Sequence, residues 1–184
     1  MAEQKLKNLV FIACLLLLSV MNSAHAVPDY IKSLVPGAQK VGEGRLTYLF
    51  WDVYDATLYA PQSLQLQGES WPGSPPFALQ LSYLRSLKGS KIAERSIAEM
   101  RDQGFADETR LASWHTQMRD IFPDVDKGTR LAGVYAQSGT TIFYHNGADI
   151  GRIKDPAFSQ AFFGIWLDKK TSAPELRRQL LDLL

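Results

Sequence analysis

Apolar and polar positions along the chain change period several times, and each change marks an element. From about Glu43 to Tyr59 the residues are β-branched and aromatic (Thr47, Tyr48, Phe50, Trp51, Val53, Tyr54, Thr57, Tyr59). These are types that suit a pleated, half-buried strand, which Pro61 ends. Phe77, Leu79, Leu81 and Tyr83 then alternate with Ala78, Gln80 and Ser82, predicting a strand with one buried face. After Lys88-Gly89 the period lengthens. Ala93, Ile97 and Met100 recur at helical spacing, with Ser90 as N-cap and Gly104 as the stop. A second helix carries Leu111, Trp114, His115, Met118, Ile121 and Phe122 as an apolar stripe, and Pro123 closes it.

Strand character returns over Thr129 to Tyr135 and Thr140 to His145. Asn146-Gly147, before Ile150, predicts a two-residue hairpin, because a type I′ turn needs positive φ at both central positions. Asp155 and Pro156 supply an N-cap and an N1 proline to a helix with Phe158, Ala161, Phe162 and Ile165 on one side. Ser172 and Glu175 predict a capping box before Leu176, Leu180 and Leu183. Earlier, Asp29 to Val35 has room for one or two helical turns, and Gly68 to Pro76 is a turn-rich loop. Strands, a helical block, strands and closing helices do not alternate as βαβ units do. The predicted class is α+β, an antiparallel β-sheet covered on one face by α-helices.

The first 26 residues fall outside this pattern. Lys5 and Lys7 precede an apolar run from Leu9 to Leu18, and Ala24-His25-Ala26 places small residues at −3 and −1 of a cleavage site. This is the layout of a secretory signal peptide, so the expectation is export to the periplasm or medium with cleavage after Ala26. The run is short of the ~20 apolar residues of a spanning helix, so no stable membrane anchor is expected. Lipidation at Cys14 would leave a mature end made of hydrocarbon, Leu15 to Leu18, which argues against it. Residues 27–184 then form a single domain of ordinary size. Taking Lys5, Lys7 and Glu3 from 20 basic and 19 acidic residues leaves 18 of each. A neutral chain gives no electrostatic case for a nucleic-acid partner. Cys14 is the only cysteine, so the mature domain has no disulfide and rests on its core.

Several chemistries lack their residues. His115 and His145 have no carboxylate at ligand spacing, so neither a metal nor another cofactor is expected. His115 reads as a core or interface histidine and His145 as a solvated one beside a turn. There is no G-x-S-x-G elbow. Gly42-x-Gly44 lacks a third glycine and precedes a strand, so the dinucleotide reading fails. Asp52 and Asp55, three apart on a strand, should point to opposite faces and not pair. What remains is Arg45, a single guanidinium in an aromatic strand. It either snorkels to water from a strand end or faces an anion in a pocket.

The run Gly42-x-Gly44-Arg45, with the strand ending Val53-Tyr54-Asp55-Ala56-Thr57-Leu58-Tyr59-Ala60-Pro61, resembles the start of the bacterial secreted chalcone isomerase-like family. Gly139-Thr140-Thr141-Ile142, His145-Asn146-Gly147, Ala161 to Leu167 and Pro174-Glu175-Leu176-Arg177 follow in that family's order and spacing. The likeness covers roughly Val27 to Leu184. It implies an open-faced sandwich with a cleft between sheet and helices, lined by an early arginine and a later hydroxyl. In the plant enzyme such groups position a phenolate and hydrogen-bond a ketone. In fatty-acid-binding members an arginine and a tyrosine hold a carboxylate at the mouth of an apolar cavity. Arg45 matches the arginine, and Tyr54 stands where the isomerase has a catalytic threonine, which is closer to the binder. Arg45 and Tyr54 are nine apart, though, and an odd separation puts them on opposite faces unless a bulge intervenes.

The candidate ligand-binding residues are thus Arg45, Tyr54, Tyr59 and Tyr83, with Asn146 and Thr141 as weaker candidates. Three functions remain. The first is an exported, non-catalytic binder of a small amphipathic anion such as a fatty acid. The second is an isomerase of chalcone type with Arg45 on a developing oxyanion. The third is a structural or partner-binding envelope protein that makes contact through Trp71 or Trp166. The binder fits the tyrosine best.

Overall fold

A computed structural model of the chain describes residues 26–62 and 76–183. The expected signal peptide before Ala26, Cys14 included, and Trp71 with residues 68–75 of the turn-rich loop lie outside the described residues.

Six strands form one antiparallel sheet whose spatial order equals the chain order. They are β1 (Ala38–Tyr48), β2 (Trp51–Pro61), β3 (Phe77–Tyr83), β4 (Arg130–Tyr135), β5 (Thr141–His145) and β6 (Ala148–Ile153). A short helix α1 (Asp29–Leu34) precedes β1, α2 (Gly89–Asp102) and α3 (Glu108–Ile121) connect β3 to β4, and α4 (Pro156–Leu167) and α5 (Pro174–Leu180) close the chain. The α+β expectation holds.

The aromatic stretch read as one strand is two. Tyr48 pairs with Trp51, so Leu49 and Phe50 alone make the turn, with Leu49 at φ 55°. No glycine, proline or asparagine announces it. The Asn146-Gly147 turn is as expected, with φ of 51° and 91°.

Alternation along the central strands sorts residues between two clusters. Ala56, Leu58, Leu79, Leu81, Tyr135 and Phe143 meet α2 to α5 in the main core. Tyr59, Ala78 and Val134 point the other way and pack against Ile31 and Val35 of the α1 region. Both faces of β3 are therefore buried, where one was expected, because α1 covers the far side. Within the main core α4 is buried nearly all round, with Phe158, Phe162, Phe163 and Trp166 in edge-to-face or stacked contact with neighbouring rings or one another.

Two caps differ from expectation. The N-cap of α2 is Lys88, not Ser90, and the Gly89 amide donates to Asp124 Oδ1 at 3.0 Å. The N-cap of α5 is Ala173 without a side-chain bond, since Ser172 Oγ donates to Glu99 instead at 2.8 Å. Asp155 does cap α4, accepting from the Ala157 amide.

Candidate functional site

A cavity of about 630 Å³ lies between the sheet and the helical layer. Its depth is apolar: Leu79, Leu81, Leu131, Phe143, Phe162 and Trp166 line it. Tyr54 and Tyr83 face it from neighbouring positions on β2 and β3, their rings edge to face at 5.8 Å. The Tyr54 hydroxyl accepts from Trp166 Nε1 at 2.8 Å, which fixes both side chains. The Tyr83 hydroxyl bonds to no described residue. Burial raises the pKa of both phenols well above the usual value, so both are neutral donors at any ordinary pH.

Exposed lining residues mark the mouth: Tyr48 at the end of β1, Arg85 two residues past Tyr83, and Lys91 and Arg95 one turn apart on α2. Lys91 is paired with Glu94 and Arg95 with the buried Glu99. Arg85 has no carboxylate partner among the described residues. Its guanidinium lies 5.2 Å from the centre of the Trp51 ring, a cation–π contact that holds it beside the opening. Three cations against two carboxylates leave one positive charge in excess at the mouth.

Arg45 is elsewhere. It stands opposite Asp55 in the β1–β2 ladder, on the exposed face of the strand. Its Nε and Nη2 donate to the two Asp55 oxygens at 2.6 and 3.0 Å, and Nη1 donates to Asp52 Oδ2 at 2.9 Å. Thr47 Oγ1 donates to the other Asp52 oxygen at 2.7 Å. These bonds, Asp55 first, raise the arginine's pKa, while the Thr47 bond does most to lower that of Asp52.

Asp52 and Asp55 share a face, against expectation, because β2 bulges. Leu46 pairs with Tyr54 and Thr47 with Asp52, leaving Val53 as the extra residue. That bulge lies beyond the Arg45–Asp55 pair, so it gathers the carboxylates around Arg45 and does not turn Arg45 towards Tyr54. The expectation of an Arg45–Tyr54 pocket is overturned by this register.

The other sequence candidates divide in the same way. Tyr54 and Tyr83 come together in the cavity. Tyr59 belongs to the α1 side of the sheet. Thr141 is buried against Ser159, Oγ to Oγ at 2.7 Å, and Asn146 Oδ1 accepts from the Arg130 amide, so both serve the fold. Trp166 is buried in the cavity wall, which removes it as a surface contact. His115 lies on α3 with a buried Nε2 that has no partner among the described residues. Arg85, Lys91 and Arg95 were missed. The signal available was spacing: Arg85 extends the Tyr83 face by two residues, and Lys91 and Arg95 are i, i+4 on one helix.

Residues 41–182 match the family described as chalcone isomerase-like. The chain belongs to the chalcone isomerase-like family. One relative, an uncharacterized protein of Haemophilus influenzae, is 27% identical over 143 residues, covering 78% of this chain and 67% of that one. The crystal structure of an Arabidopsis thaliana fatty-acid binding protein superposes with a TM-score of 0.61 at 14% identity, over 80% of this chain and 88% of that one. At that identity the likeness is one of fold. In this chalcone isomerase-like chain the tyrosine pair keeps to the cavity, and Arg45 keeps to the outer face.

Proposed function

We propose that the protein is an exported, non-catalytic binder of a small amphipathic anion such as a fatty acid. The apolar chain lies in the cavity beneath Tyr54 and Tyr83, and the head group meets Arg85 at the mouth. The observation that carries the reading is the cavity itself. Its size falls in the ~300–1,000 Å³ range of ligand sites, its wall is largely aliphatic and aromatic, and it carries a few polar groups, among them Tyr83 and Arg85. The single excess charge at the mouth suits one carboxylate, and an arginine can grip it through two hydrogen bonds. The Tyr83 hydroxyl is free to donate a third. The isomerase reading put Arg45 on the developing oxyanion, and Arg45 instead clamps Asp52 and Asp55 outside the cavity.

Calorimetric titration with a saturated fatty acid and the alcohol of the same length tests this. Arg85→Gln should weaken the acid roughly ten-fold or more, since a charge-assisted hydrogen bond contributes about 1.5–3 kcal/mol. The alcohol should bind the parent less tightly and be indifferent to the substitution. A parent that binds neither compound would end the reading. Acid binding insensitive to Arg85→Gln would move the head group away from Arg85.

A further inference from the structure

The turn joining β1 to β2 is apolar and stands in solvent beside the cavity mouth. Tyr48, Leu49, Phe50 and Trp51 are 64, 74, 94 and 62% exposed. Elsewhere among the described residues the exposed large apolar side chain is Leu183, at 37%. A two-residue hairpin turn with positive φ at its first position favours glycine there, and this one has leucine at φ 55°. The next residue, phenylalanine, touches water on nearly every side. Local stability is poorly served by either choice, which is the pattern of a segment kept for contact.

We propose that this hairpin tip docks on a lipid bilayer and sets the cavity mouth against it, so that ligand passes between membrane and cavity without crossing water. The proposal rests on the reading of the cavity as a site for an amphipathic lipid-like anion. Tyr48 belongs to both features, lining the cavity and heading the tip. Leu and Phe at the apex with Tyr and Trp on the shoulders match the layering of a bilayer interface, hydrocarbon inside and amphipathic rings at head-group level. Arg85, held over the Trp51 ring and free of carboxylates among the described residues, would then meet the lipid phosphates. A protein partner fits less well, because four side chains on a narrow turn fall far short of the ~20–30 residues a side of a stable interface. No described helix is long and apolar enough to cross a membrane.

Flotation with phosphatidylcholine–phosphatidylglycerol vesicles tests the proposal, using the parent and the double variant Leu49→Gly with Phe50→Ser. Neither residue lines the cavity, and glycine suits the turn, so the variant should fold at least as well. The parent should float with the vesicles and the variant should lose about ten-fold or more in partitioning, as two large side chains no longer leave water. Titration with free fatty acid should be equal for the two. A parent that stays in solution while binding fatty acid would overturn the docking proposal and leave the cavity reading standing. So would a parent that dimerises through the tip without binding vesicles. Failure of fatty-acid binding with vesicle binding intact would instead remove the cavity reading.

Discussion

Arg45 clamps two carboxylates on the outside of the sheet, so its removal should be felt in the hairpin and not in the cavity. Arg45→Ala leaves Asp52 and Asp55 facing each other without their cation. All three groups are solvent-exposed, so the unfolding midpoint should drop only slightly, and ligand titrations should match the parent. Tyr54→Phe is the opposite case. It strands the Trp166 indole N–H in a buried wall, at a cost of about 1–3 kcal/mol that denaturant unfolding would resolve. Tyr83 was legible from the alternation on β3 and Tyr54 from the family resemblance, whereas Tyr59 alternates to the far face. Arg45 was not legible, because its environment depends on which residues oppose it across a turn that carries no turn residue, and on a bulge at Val53.

Elements of this fold touch at a few positions with no room for change. A Cβ on Gly42 would fall on the backbone carbonyl oxygens of Gln179 and Leu180, so β1 can approach α5 only as glycine. Gly42→Ala should therefore separate strand and helix and lower the unfolding midpoint clearly, whereas Gly37→Ala, with open space but φ of 72°, carries only conformational strain. At the β5–β6 turn, Gly147→Val has ordinary contact distance to Tyr30 yet must hold φ near 91°. Its cost should be about 1–3 kcal/mol, read from denaturant midpoints. Asp124 is the surrogate cap of α2, held below the usual carboxylate range by Lys88 first and the Gly89 amide second. A depressed carboxylate contributes stability above its ordinary pKa of about 4 and loses it as pH falls through the lowered value. Asp124→Ala should thus flatten the acid-side decline in melting temperature. The Asn146-Gly147 turn and the Asp155-Pro156 start were readable because their residues satisfy the backbone locally. The caps of α2 and α5 were not, because distant side chains, Asp124 and Glu99, reorganise them.

Across the whole molecule, the sequence order of the strands is also their spatial order, and that made the sheet-and-helix architecture readable from periodicity and family likeness. The far-side helix α1 was foreseen as helical turns, but not as a cover, since covering depends on which strand faces are left apolar. The mouth was harder. Arg85, Lys91 and Arg95 come from a loop and a helix that meet only after folding, and no local pattern marks an arginine that ends up without a carboxylate. The proposed function requires the space between the layers to be a ligand site and not a packing defect. Titrating a long-chain fatty acid into the parent and into Leu81→Trp, which fills the cavity from β3, tests it most directly. One molecule should bind per chain in the parent and none in the filled variant, with the variant's cooperative unfolding retained. Equal binding by both folded proteins, or no binding by the parent, would contradict it.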